Sequence, residues 1–346
     1  MSEQTNNYAG TRFLVTAASF VIIVAGMRSA SIIIVPFLLS AFFACICAVP
    51  MGWLQNKGVP SPIAITIVVL GFIAAVMFVG GLVGSSLDGF LSALPGYQTR
   101  LQQDAMAVVN WLKARDVKVS SRVVLEYFDP GAAMRFIGGL LSAMTGMLTN
   151  AFMILVTMVF MLAEITALPK RLARVVDDPE TSFANLRHFS ESLNRYLAIK
   201  TIVSVATALL VGLWLYLLGV DFPLLWAVLA FFLNYVPNLG PIIASVPPVL
   251  LGLIQLGPGT AVGVVVGFTI VNIVMGSGVE PRFMGEGLGL STLVVFLSLA
   301  FWGWVLGPVG MLLSVPLTMT VKIALESSED LRWLAVLLGP GGPRHS

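Results

Sequence analysis

Asn234 and Asn238 stand four residues apart, so a helical turn between them would carry both carboxamides on one face. They open the stretch Asn234-Tyr-Val-Pro-Asn-Leu-Gly-Pro-Ile-Ile-Ala-Ser-Val-Pro-Pro248, inside a charge-free run over residues 222–279. Pro237, Pro241, Pro247 and Pro248 each lack an amide donor and resist a helix that continues through them. In hydrocarbon a freed backbone group needs a partner, so a broken helix survives only inside protein or beside a wet cavity. Transporters commonly build a site near the membrane midplane from such breaks. A kinked structural helix is the plainer alternative, because Gly and Pro are frequent in membrane spans. Neutral amides and hydroxyls beside exposed helix ends suit a small, hydroxyl-rich solute with little fixed charge. Asn234, Asn238 and Ser245 are the first candidates to contact it, with Asn272 and Ser314 as additions.

A second region echoes the first. Leu239-Gly240-Pro241 precedes Ser245-Val246-Pro247, and Leu306-Gly307-Pro308 precedes Ser314-Val315-Pro316. Corresponding Gly/Pro interruptions point to a site between internal repeats, with Pro237, Gly240, Pro241, Pro247, Gly307, Pro308 and Pro316 as helix breaks. Chance recurrence competes with this, since Leu-Gly-Pro also occurs at 256–258 and 338–340. Between the two regions lies Glu280-Pro-Arg282. One reading is a solvated turn joining two spans, and the sequence favours it. The other is a partly buried acid with Arg282 as partner, able to couple transport to a proton or cation. A charge at membrane depth costs at least ~2.5–3.5 kcal/mol and needs such pairing.

The elements that must position these residues are membrane helices. Of 346 residues 58% are hydrophobic and 10% charged, against about 25% charged in a soluble domain. A net charge of +2 gives no case for nucleic-acid binding. Cys45 and Cys47 lie in an apolar run and read as packing residues. With only His188 and His345 besides, no zinc-ligand spacing exists, and no cofactor is expected.

A span needs about 20 apolar residues. Residues 13–27, 29–56 and 63–87 give three spans, and a first membrane helix is the better reading of 13–27 than a signal peptide. Residues 88–135 form a charged insert outside the hydrocarbon, in which Leu101, Ala105, Val108, Val109 and Leu112 recur at helical spacing. Asp129-Pro130 and Asp178-Pro179 read as helix starts. Residues 136–163 and 201–220 are the fourth and fifth spans. The charge-free runs 222–279 and 287–321 fit no whole number of spans and imply half-length or hairpin pieces. The domain plan is three helices over 1–87, the insert over 88–135, a fourth helix and cytoplasmic loop over 136–200, a transport core over 201–326 and a cytoplasmic tail over 327–346. Lys170, Arg171, Arg174, Arg195 and Lys200 place the 164–200 loop and both termini inside.

Long motifs then carry a resemblance. Asn234-Tyr-Val-Pro-Asn-Leu-Gly-Pro241, Glu280-Pro-Arg282 with Gly285, Leu288-Gly-Leu-Ser-Thr-Leu-Val-Val295 and Phe301-Trp-Gly-Trp-Val-Leu-Gly-Pro-Val-Gly-Met-Leu-Leu-Ser-Val-Pro-Leu317 resemble signature blocks of the autoinducer-2 exporter family. The likeness covers nearly the whole chain and is strongest toward the quorum-signal exporter branch. It implies an all-α polytopic protein of the bacterial inner membrane with roughly eight spans, exporting a small polar furanone-type signal by alternating access. It also implies a homo-oligomer, a pentamer being one form. Sodium–proton exchange, known for other members, is the alternative and would use Glu280. An enzyme is not expected, since the chain holds no G-x-S-x-G, H-E-x-x-H or P-loop.

Overall fold

The computed structural model describes residues 2–115, 137–139, 142, 150–172, 179–284, 289–326 and 332–339. All regular elements among them are helical. In chain order they are α1 (Ser2–Ser29), α2 (Ser31–Asn56), α3 (Ser61–Lys113), α4 (Ala151–Leu172), α5 (Pro179–Leu217), α6 (Pro223–Leu233), α7 (Gly240–Leu256) and α8 (Pro258–Asn272). A π-helical segment, Ile273–Val279, leads into α9 (Glu280–Met284), followed by α10 (Thr292–Leu312), α11 (Ser314–Glu326) and α12 (Arg332–Leu338). Among the described residues five stretches are long and apolar enough to cross a bilayer: Ser31–Asn56, Ser61–Tyr97, Leu193–Leu217, Pro258–Phe283 and Thr292–Leu312. Shorter apolar helices include Pro223–Leu233 and Gly240–Leu256. This is an all-α polytopic membrane protein.

Two expected boundaries dissolve into longer helices. α3 runs through residue 88 and through Pro95, so the first part of the insert continues the third span as one helix of 53 residues. At 1.5 Å per residue it is ~80 Å long, well beyond a ~30 Å hydrocarbon core. α5 likewise joins the loop after Pro179 to the fifth span without a break, and it ends at Leu217. Around the α5 junction the sequence has no Gly/Pro cluster, so the backbone ladder simply continues, whereas α3 continues although Gly89 and Pro95-Gly96 lie in its path. The helix starts expected at Asp129 and Asp178, together with Gly285 and Glu286, lie outside the described residues.

The chain forms two compact units. The larger holds 45–152 and 166–288, and its core gathers Phe90, Leu215, Leu225, Trp226, Leu251 and Val264, all nearly or fully buried. Phe90 meets Trp226 edge to face at 5.4 Å, which ties α3 to α6. Within this unit α6 and α7 make a helical hairpin. α6 has 11 residues, ~17 Å, so it reaches only about halfway across a membrane before the chain turns. The turn occupies 234–239, and Asn238 at φ 60° supplies its left-handed residue. Asn tolerates that conformation better than most side chains.

The smaller unit holds 1–44, 153–165 and 289–346. Trp302, Val305, Leu306 and Val24 are its buried cluster, with Phe301, Ile34, Val35, Leu38 and Leu317 packed against them. α10 kinks at Gly307, where φ 70° and ψ −152° leave the helical region. α11 then returns beside α10, and Trp302 Nε1 donates to Thr318 Oγ1 at 3.0 Å across the two arms.

Pro247 is corrected as a helix break. α7 passes through Pro247 and Pro248 without ending. Both rings are buried, where packing holds the helix although the carbonyls of Ile243 and Ala244 lose their intrahelical donors. Pro241 and Pro316 fall in the first turn of α7 and α11, where a missing N–H costs nothing. The recurring Leu-Gly-Pro therefore has a local meaning. At 239–241 it opens α7, at 256–258 it opens α8, and at 306–308 it marks the kink in α10. Gly257 and Gly307 take backbone angles open to glycine alone, φ 89°, ψ −178° and φ 70°, ψ −152°. Gly240 instead starts a helix, so the two echoing regions differ in conformation at the same tripeptide.

Candidate functional site

The tip of the α6–α7 hairpin lies against α5. Asn234, 8% exposed, donates its Nδ2 to Ser204 Oγ at 2.9 Å, and Ser204 is fully buried. The next residue, Tyr235, shares a hydrogen bond of 2.7 Å with Thr201. Asn234 thereby spends one of its two side-chain N–H donors on α5. It lines a small cavity with Thr207, Pro241, Ala244, Asn272 and Met275. The volume is about 10 Å³, room for roughly one water. The Thr207 hydroxyl is buried without a hydrogen-bond partner. Such a group costs about 1–3 kcal/mol unless something pairs with it, so the pocket asks for a polar guest.

One turn before Ser204 on α5 lies an ion pair. Lys200 Nζ meets Glu280 Oε1 at 2.7 Å and Oε2 at 2.9 Å, with the lysine side chain 6% exposed and the glutamate 17%. Both residues lie in stretches apolar enough to span a membrane. This corrects two expectations. Glu280 is not part of a solvated turn: it comes directly after the π-helical segment and opens α9. Its partner is Lys200, while Arg282 is exposed. The reason is reach. Residues two apart on a helix point to different faces, whereas α5 brings a cation straight across to Glu280. The π segment matters here, because its i→i+5 turns hold an extra residue and rotate the helix beyond them. Asn272 stands at its start and Glu280 at its end.

The other sequence candidates go elsewhere. Asn238 is exposed at the apex of the turn and does not line the pocket. Ser245 is half-buried and donates to the carbonyl of Ile242 at 2.8 Å. Ser314 belongs to the smaller unit, where its hydroxyl is buried without a partner. So Asn234, Asn272 and Pro241 come together, and Asn238, Ser245 and Ser314 do not join them. Sequence reasoning missed Lys200, Ser204 and Thr207, which had a legible signal. They recur at i, i+4 and i+7, a polar stripe on one face of an otherwise apolar helix. Among the described residues no cluster of His, Cys, Asp or Glu could hold a metal ion.

A buried ion pair and a neutral polar pocket, set at the tip of a half-length helical hairpin, fit a membrane transporter core. The sequence comparisons agree. The chain belongs to the AI-2E transporter family, whose model matches residues 17–330. It is 39% identical over 329 residues to the AI-2 transport protein TqsA of Escherichia coli strain K12, covering 95% of this chain and 96% of that one. It is 40% identical over 335 residues to YhhT of the same strain, whose name assigns transport only provisionally, covering 97% and 96%. A similarly named protein of Haemophilus influenzae is 40% identical over 340 residues. The family and these relatives are named for transport, not for catalysis.

Proposed function

We propose that this protein exports a small, polar, hydroxyl-bearing signal across the bacterial inner membrane, with autoinducer-2 as the solute. The observation that carries the proposal is the Thr207 hydroxyl, buried without a partner in the pocket that Asn234 and Asn272 also line. Its similarity to TqsA supports the choice of solute. At about 10 Å³ the pocket is too small for such a solute, so passage requires the hairpin tip to move off α5. Breaking Asn234–Ser204 and Tyr235–Thr201 would open it, with Lys200–Glu280 as the charge pair that changes partners during the cycle. The termini face the cytoplasm, and copies of the chain assemble as a homo-oligomer.

The test is flux of autoinducer-2 from proteoliposomes under imposed proton gradients. Wild type should release it, and Thr207→Val should slow release about tenfold while the protein stays folded, since a lost hydrogen bond in a closed site is worth about 1–1.5 kcal/mol. Absence of wild-type flux sinks the proposal, and so does normal flux in the variant. Sodium–proton exchange is the second reading, and the size of the pocket favours it: a bare cation fits where a furanone does not. Sodium-driven pH changes that vanish in Glu280→Gln, without autoinducer-2 flux, would establish that reading instead.

A further inference from the structure

Asp221 sits in the turn that joins α5 to α6, and Gln255 lies in the last turn of α7. Tyr97 reaches them from α3. The Tyr97 hydroxyl donates to Asp221 Oδ2 at 2.8 Å. Gln255 Nε2 donates to the same oxygen and, at 2.9 Å, to the Tyr97 hydroxyl. The Asp221 backbone N–H donates in turn to Gln255 Oε1 at 3.1 Å. Both side-chain bonds end on Oδ2, which leaves Oδ1 for a further donor. The turn is held open by Phe222, a bulky residue at φ 58° whose ring packs edge to face on Phe90. Gly219, at φ 72°, bends the chain just before it.

These groups line an open cavity of about 500 Å³ with Arg100 and Leu256. Small-molecule sites commonly measure ~300–1,000 Å³. The mouth therefore has room for an intact solute, which the hairpin-tip pocket lacks. It lies just past the C-terminal end of α5, while Lys200 is near the middle of that helix, with Val211 and Leu215 of the core between. One side of the mouth presents a carboxylate acceptor and another the N–H donors of a guanidinium. Leu256 and the Tyr97 ring add apolar surface to the lining. That combination fits a neutral ring carrying several hydroxyls. Further in, along Leu215, Val211 and Thr207, every side chain is uncharged, so a solute with net charge fits poorly beyond the mouth.

The geometry points to a second solute site: the Tyr97–Asp221–Gln255–Arg100 mouth takes a small neutral polyhydroxylated molecule, the class proposed for the hairpin tip. The inference rests on the transport reading only for the identity of its natural occupant. Binding is measured by calorimetry on the full chain in lipid nanodiscs, where both faces are accessible. The probes are autoinducer-2, D-ribose as a neutral cyclic polyol and L-serine as a zwitterion. D-ribose and autoinducer-2 should bind, and L-serine should not. Asp221→Asn keeps an acceptor for Tyr97, and Arg100→Gln changes an exposed side chain, so neither should move the melting temperature. Each should weaken ribose binding about tenfold, as expected for a lost hydrogen bond to a charged group. Unchanged ribose affinity in both variants overturns the site, as does no ribose binding by wild type or stronger binding of L-serine. The two readings fail separately. Ribose binding that depends on Asp221, in a protein that moves no autoinducer-2, keeps the mouth and discards the export reading. Normal export with no ribose binding does the reverse.

Discussion

At Lys200 the energetics of the site are concentrated in one side chain. A charge within the membrane core costs at least ~2.5–3.5 kcal/mol, and Lys200 bears it because Glu280 lies 2.7 Å away. Removing one partner leaves the other charge uncompensated, which costs about 3–5 kcal/mol, whereas replacing both is often close to neutral. Lys200→Met should therefore lower thermal stability sharply in detergent, and Lys200→Met with Glu280→Gln should recover most of the loss. Equal melting temperatures for the single and double variants would show that the pair is not mutually stabilising. Transport should fail in both, since the double variant restores stability and not charge. Thr207 stands in contrast. Its unpartnered hydroxyl is a stability cost retained in the fold, and Thr207→Val should leave melting unchanged or raise it while slowing flux.

The α6–α7 hairpin is the element on which the site depends, and it is closed at one glycine. A Cβ on Gly240 would overlap the carbonyl of Leu233, the last residue of α6. The nearest atoms are the Leu233 backbone and the Val236 Cβ, with no flexible side chain to give way, so the arms would have to separate. Gly240→Ala should destabilise the protein by about 1–3 kcal/mol, in the range of overpacking. It should also break Asn234–Ser204, the bond that holds the tip to α5. Hydrogen exchange of residues 230–245 reads both effects, and wild-type protection in the variant would show that the arms do not need this close approach. Pro247→Ala should be mild by comparison, because α7 already runs through that position.

Among the described residues many large apolar side chains are exposed, as a bilayer requires. Phe152, Ile32, Phe160 and Tyr216 are each more than two-thirds exposed. α3 extends far past the length of a span, and the sequence of its outer part carries an apolar stripe at Leu101, Ala105, Val108, Val109 and Leu112. A stripe of that kind outside the hydrocarbon wants a partner surface. The proposed homo-oligomer supplies one. Native mass spectrometry from nanodiscs should show a single multiple of the 36.9 kDa chain. Replacing Leu101, Val108 and Leu112 with serine should shift it to smaller species, and a monomeric wild type would end the proposal.

Composition and uninterrupted apolar runs determined the membrane class, the helical architecture and the presence of half-length pieces. The physical reason is that hydrocarbon demands an internally paired backbone. Asn234, Asn272, Pro241 and Glu280 were legible because polar groups and helix breakers stand out in such runs. Lys200, Ser204 and Thr207 were legible as a polar stripe on one helix but not as the partners of these residues. Lys200 is 80 residues from Glu280, and Thr207 reaches the pocket from α5 while Asn234 and Asn272 come from other parts of the chain. Spacing on one helix says nothing of which neighbour it faces. Nor could spacing say which prolines break a helix, since Pro237 lies in the turn and Pro241 just after it, while Pro247 rides inside α7. Packing decides that: a helix survives a missing donor where buried neighbours hold it, and the chain turns where a left-handed residue and close backbone approach allow it.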